Sequence, residues 1–265
     1  MSSKKVAILY DFDNTLSVKS MQEYGLFDKL NWTTEIFAKN FEQAQKFEMD
    51  RLLSFLYLVK QRADELGITL KKQDLVDCGK NIEYFPGVLT WFERINAFGK
   101  MHNIEVEHYI VSSGHKEIIE GSKIYKHFKK VFACEYLYDQ YGKILWPKVS
   151  INYTNKTQFI FRINKGILNL HDDSINEYMD ISSRPITYEN MIYIGDGFTD
   201  VPCMKLLKQK QGKSFAVYTE SNKAFCETLI RDNRVSNIFP ADYSENSLLE
   251  NAIKEFILSN AQESE

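Results

Sequence analysis

A chain of 265 residues, 44% hydrophobic and 14% aromatic, has the apolar content for one large domain or a core with a smaller companion. A formal charge of −3, with lysines and arginines scattered along the chain, excludes the basic stripe of a nucleic-acid binder. No apolar run approaches the roughly 18 residues of a membrane span, and the short stretch after Lys4 and Lys5 is too brief for a secretory signal. A cytoplasmic protein is therefore expected, with Cys78, Cys134, Cys203 and Cys226 as buried thiols rather than disulfide halves or metal ligands.

The run from Val6 to Tyr10 predicts a buried strand that ends in two carboxylates, Asp11 and Asp13, followed by the turn-forming Asn14 and Thr15. Carboxylates at the end of a buried strand are costly unless their charge is offset, and a divalent cation is the usual compensation. From Ser17 to Tyr84 proline is absent and helical spacing takes over. Ser20 to Glu23 fits a capping box. Leu52, Phe55, Leu56 and Val59 mark one apolar helical face, within a stretch 34–66 that holds one long helix or two, and a further helix is expected over 70–82. Residues 17–86 are accordingly expected to form an inserted, all-helical cap over the strand ends.

Phe85-Pro86-Gly87 marks the return to a core expected to comprise residues 1–16 and 87–265. A helix over 88–98 leads to a strand over 106–112, and Ser112-Ser113-Gly114 predicts a turn into a helix carrying Ile118 and Ile119. A strand over 131–138 and a turn at 141–143 suggest an antiparallel hairpin reaching residue 153. Asn155 is a candidate N-cap for a helix running to Leu170. After a polar connection over 171–189, Met191 to Gly195 predicts a second buried strand ending in Asp196, Gly197 and Asp200. A helix over 201–210, a strand over 213–218 and two helices follow, with a tail over 260–265 expected to fray. The fold class is α/β, a Rossmann-like, mostly parallel sheet with helices on both faces, plus the small helical cap.

Two acidic strand ends in one α/β chain suggest a magnesium site where the carboxyl ends of the strands meet. With the motifs in view, the chain resembles the haloacid dehalogenase superfamily, in its phosphoserine-phosphatase-like branch with a helical cap after the first strand. DxDx[TV] is matched by Asp11, Asp13 and Thr15, the strand-end Ser or Thr by Ser112, and GDGxxD by Gly195, Asp196, Gly197 and Asp200. The resemblance implies a phosphatase of small phosphomonoesters that works through an aspartyl-phosphate on Asp11. Asp13 is the implied general acid and base, and Mg2+ is the implied cofactor, held by Asp11, Asp196 and the backbone carbonyl of Asp13. These roles make chemical sense, because phosphoryl transfer needs a nucleophile, charge neutralisation and a positioned proton donor.

Ser112, with the backbone N–H groups of Ser113 and Gly114 at a helix start, is expected to bind a phosphate oxygen. Thr15 would order the first loop, and Asp200 would orient Asp196 or a metal-bound water. The family also carries a lysine upstream of GDGxxD, and both Lys156 and Lys165 qualify by position. Lys156 is favoured because it stands at the predicted helix start, whereas Lys165 lies about 13 Å further along the axis.

Phosphoserine phosphatases carry a cap glutamate where this chain has Ser20, a departure that counts against phosphoserine. Glu23, Tyr24, Lys46 and Arg51 are the polar cap residues that could reach a substrate. The cap aromatics Tyr24, Phe27, Trp32, Phe37 and Phe41 fit a helical core, and could equally stack on a ring. The alternatives are a phosphotransferase or phosphomutase of the same superfamily and a catalytically retired binding protein; no nucleic acid or membrane partner is expected.

Overall fold

The structure, a computed structural model, describes residues 4–262. Its centre is β1 (Lys4–Tyr10), whose residues 6–10 are fully buried. An apolar run with no alternation is what a strand covered on both faces requires. Seven strands form one sheet in the order β4-β3-β2-β1-β5-β6-β7. These are β2 (Ile104–His115), β3 (Lys130–Tyr138), β4 (Ile144–Val149), β5 (Met191–Gly195), β6 (Lys213–Tyr218) and β7 (Asn237–Pro240). All neighbours pair in parallel except β3 and β4, the expected hairpin. The chain order reverses at β1, which has β2 on one side and β5 on the other. Such a switch point opens a crevice at the carboxyl ends of the strands.

Helices cover both faces. Tyr10 packs edge-on against Phe92 of α5 (Val88–Met101). Leu9 points to the opposite face, in register with Tyr193, whose hydroxyl meets Asp200 at the head of α8 (Val201–Gln209). The chain closes with α9 (Lys223–Arg231) and α10 (Leu248–Gln262). The expected fraying at the end is not found through Gln262: Asn260 is buried and its amide donates to Phe256 O. Residues 263–265 lie outside the described residues. No helix among the described residues is long and apolar enough to cross a membrane, and all four cysteines are free and buried.

Between β1 and α5 the chain holds only helices: α1 (Leu26–Lys29), α2 (Thr34–Gln45), α3 (Arg51–Glu65) and α4 (Lys72–Gly79), after a short 3-10 turn at Met21–Glu23. The stretch 34–66 is thus two helices, separated at Asp50, whose carboxylate accepts from the N–H groups of Leu52 and Leu53. The capping box expected at Ser20 is absent. The N–H of Met21 donates instead to the Asp13 carboxylate, 2.8 Å away, so the loop after β1 caps this turn.

Three other expectations are corrected. The serine-rich turn after β2 is a bulge within the strand. Val111 pairs with Phe132 and His115 with Cys134, so β2 carries two more residues than β3 over this interval. The helix after the hairpin, α7 (Thr157–Lys165), has Lys156 at its N-cap position and no side-chain cap: Asn155 donates instead to Ser150 O, and the Asn152 carboxamide accepts from the N–H groups of Thr154 and Asn155 in the turn before the helix. It stops at Gly166, in the left-handed region with φ 71°, well before Leu170. Strand β7 carries too short an apolar signal to stand out in the sequence.

Candidate active site

The residues after β1 turn tightly: the N–H groups of Leu16 and Ser17 both donate to Phe12 O, and Phe12 is fully buried. This anchor presents Asp11 and Asp13, on either side of it, to one cavity. The N–H of Asp11 still bonds Ile194 O of β5, so the two acidic strand ends are zipped together. Thr15 is buried, donates its hydroxyl to Asp196 Oδ1 at 3.3 Å, and is itself held by the Tyr243 hydroxyl on its carbonyl oxygen.

Lys156 and Asp200 form the floor. Lys156 is fully buried, with Nζ 3.1 Å from Asp11 Oδ2 and 2.8 Å from Asp200 Oδ1. Asp200 Oδ1 also accepts from the Tyr193 hydroxyl, and Oδ2 accepts from the N–H groups of Asp196 and Gly197. Asp200 is therefore fully engaged in shaping the loop. A methyl group on Gly195 would come within 2.5 Å of the Asp200 carboxyl, so the close packing of this loop requires glycine there. Lys165 stands elsewhere and donates to the carbonyls of Ile175 and Glu177 in the polar connection.

Burial acts against every charge here. It pushes the Asp11 carboxyl up to about 6, helped by the Asp200 charge and opposed by Lys156 and the Phe12 N–H. Asp13 is pushed up to about 8 by burial and then by the charge on Asp11. Asp196 rises to about 8 through burial, Asp200 and Asp11. Burial alone would pull the Lys156 ammonium down, but Asp11 and Asp200 more than reverse this and hold it charged.

Four carboxyl groups thus meet one ammonium. Carboxylate oxygens of Asp11, Asp196 and Asp200 lie within 4.8 Å of one another. With Asp200 consumed by its own hydrogen bonds, Asp11 and Asp196 keep oxygen lone pairs free to bind. Hard oxygen donors with surplus negative charge at a cavity wall fit a small divalent cation.

The cavity measures about 730 Å³ and is lined by Asp11, Asp13, Ser112, Ser113, Gly114, Asp196 and Gly197 among others. Ser112 Oγ accepts from the Gly114 N–H, so that N–H is already used; Ser113 and Gly114 lie in the bulge, before the five-residue α6 (Lys116–Glu120). The helical segment supplies Ser20, Gln22, Phe37, Phe41, Arg51, Leu52 and Phe55, while Asn14, Tyr153, Phe198 and Thr199 complete the wall. Of the polar residues expected to reach a substrate, Arg51 is present and Glu23, Tyr24 and Lys46 are not. The Tyr24 hydroxyl is taken by Lys19 N and Glu83 O. Tyr193 and Tyr243 are site residues that the sequence did not single out, because neither belongs to a motif.

No known family profile matches the chain. An uncharacterized protein of Borreliella burgdorferi is 31% identical over 283 aligned positions, which span 95% of this chain and 96% of that one. A HAD family hydrolase of Salmonella enterica serovar Typhi superposes with a TM-score of 0.60 at 19% identity, over 91% of this chain and 72% of the other. A phosphoserine phosphatase solved with substrate superposes with a TM-score of 0.58 at 17% identity, over 95% of this chain and 98% of the other. The chain therefore belongs to one family with the Borreliella protein, and its fold is that of the haloacid dehalogenase superfamily in its phosphoserine-phosphatase-like form.

Proposed function

We propose that this protein is a magnesium-dependent phosphatase that hydrolyses a small phosphomonoester through an aspartyl-phosphate on Asp11. The observation that carries this reading is the joint placement of Asp11, Asp13, Ser112 and Asp196 on one cavity, with Lys156 3.1 Å from Asp11. Magnesium, held by the Asp11 and Asp196 carboxylates and the Asp13 carbonyl, would neutralise charge on the transferring phosphoryl group. Residues 17–86 act as the cap, and residues 1–16 and 87–265 as the catalytic core.

An Asp11 carboxylate oxygen attacks phosphorus as the bond to the alcohol oxygen breaks, and the electron pair leaves with that oxygen. Asp13 gives the leaving oxygen its proton, a role suited to a carboxyl that burial holds protonated up to about 8. Water then attacks the phosphorus, Asp13 takes a proton from it, and Asp11 departs as carboxylate. Lys156 holds the Asp11 carboxylate in place and offsets its charge throughout. Ser112 bonds a phosphoryl oxygen.

The test is phosphate release from a panel of small phosphomonoesters with magnesium. Release should cease with EDTA and return with magnesium, and Asp11→Asn should be inactive while folded. Appreciable turnover by Asp11→Asn would remove the nucleophile from the reading.

A further inference from the structure

The lining of the cavity has two chemistries. The carboxylates stand at the strand ends, and the rest of the cavity is lined largely by aromatic rings from the helical segment and the core loops. Phe37 and Phe41 are one turn apart on α2 and so share a face, and Phe55 comes from α3. Tyr153 and Phe198 close the wall from the core, 46% and 78% exposed respectively. Phe198 is stacked on Phe225, with ring centroids 4.5 Å apart, so an exposed ring is held in a set position beside Asp196 and Asp200. Aromatic rings gathered around one cavity mark a place where an apolar ligand is covered.

Charge narrows the choice. Apart from Asp11, Asp13 and Asp196, the residues lining the cavity include no acid, so no carboxylate on the aromatic wall is available to receive a substrate ammonium. The cation among the lining residues is Arg51, whose guanidinium lies 5.5 Å from the centre of the Phe41 ring. It lies on the aromatic wall, where it repels an amine and attracts an anionic or electron-rich substituent.

We infer that the leaving group of the substrate is a planar aromatic ring without an ammonium, packed among Phe37, Phe41, Phe55, Tyr153 and Phe198 beside Arg51. This rests on the phosphatase reading for turnover, but the binding preference can be measured without it.

The test compares the affinities of benzylphosphonate and aminoethylphosphonate for the wild-type protein with magnesium, and the kcat/KM values for benzyl phosphate, phosphoethanolamine and a nucleoside monophosphate. Ring compounds should be favoured by about tenfold or more, the scale of one good stacking partner. Preference for the nucleotide over benzyl phosphate would identify the ring as a nucleobase; the reverse would identify a smaller ring. Phe41→Leu, which keeps apolar bulk and removes the ring, should shrink the ratio of ring to amine affinities toward one. Arg51→Gln should shrink it by strengthening the amine compound. Equal or tighter binding of aminoethylphosphonate to the wild type, or an unchanged ratio in both variants, would overturn the inference. Acetyl phosphate, which has neither ring nor amine, tests the hydrolase separately: a failure there with the binding preference intact would sink the phosphatase reading and not the assignment of the wall.

Discussion

Asp11 and Asp13 are two residues apart and have different surroundings. Asp11 shares Lys156 with Asp200, while Asp13 accepts an N–H from Met21 and has no cation within ion-pairing distance among the described residues. Two carboxyls whose environments separate their protonation suit a division of labour between nucleophile and acid. Asp13→Asn should lower kcat on alkyl phosphates by about 100-fold or more, and much less on aryl phosphates, whose leaving groups need little help from an acid. Equal losses on both classes would speak against Asp13 as the proton donor.

A second buried titratable group lies away from the site. The Trp91 indole N–H donates to the Tyr10 hydroxyl, which donates to His108 Nδ1, and His108 Nε2–H donates to Asn96 Oδ1. This chain of bonds is satisfied by neutral imidazole, and burial holds His108 down to about 3. Between about 3 and the ordinary 6.5 the unfolded chain binds a proton that the native state refuses, so this contribution to stability is lost as pH falls through that window. Burial pulls His115 down to about 4 with the same sign, while the raised Asp13 and Asp196 carboxyls act in the opposite direction. Comparing two proteins separates these effects: Tm should fall less steeply below pH 6.5 in His108→Gln than in the wild type. Parallel curves would contradict this. At this scale the acidic motifs were legible because each is short and contiguous. Tyr243, which bonds Thr15 across 228 residues of sequence, left no local trace.

Elements were legible where period and length agree, and obscured where a tertiary contact overrides a local signal. Val6 to Tyr10 and Met191 to Gly195 are strands because they are apolar throughout and end in turn residues. Ser20 makes no side-chain cap, and the turn is held instead by Asp13, which folds over from the strand end and accepts the Met21 N–H. The bulge at Ser112 to Gly114 was unreadable because it is defined by pairing with β3, not by its own composition. The seat of α4 on α6 is equally hidden. There, methyl groups on Gly79 and Gly121 would lie 2.0 Å from Ile118 O and 1.8 Å from Val76 O, so backbone packs directly on backbone. Gly121→Ala should destabilise the protein by about 1–3 kcal/mol in urea unfolding, the usual cost of overpacking. A loss below about 0.5 kcal/mol, the size of an ordinary surface change, would show that this contact can relax.

For the whole molecule, the reversal of strand order at β1 places both acidic strand ends at one crevice, and the helical segment that follows β1 roofs it. That roof is tied to the sheet at points distant in sequence: the Asn152 amide donates to Asp50, and the Tyr136 hydroxyl donates to Leu56 O. Alternating strands and helices made the parallel sheet legible in the sequence. The shape of the cavity was not, because it depends on how α2 and α3 meet the loops after β4 and β5. The same geometry puts Lys156 at Asp11 and Lys165 at the polar connection. The proposed mechanism depends on a phosphoryl group carried by Asp11. Its most direct measurement is acid quench of the enzyme turning over radiolabelled acetyl phosphate with magnesium, followed by peptide mapping. A hydroxylamine-labile label is expected on the peptide containing Asp11 and is expected to be absent from Asp11→Asn. Phosphate release with no label on Asp11, or a label that persists in Asp11→Asn, would contradict the mechanism.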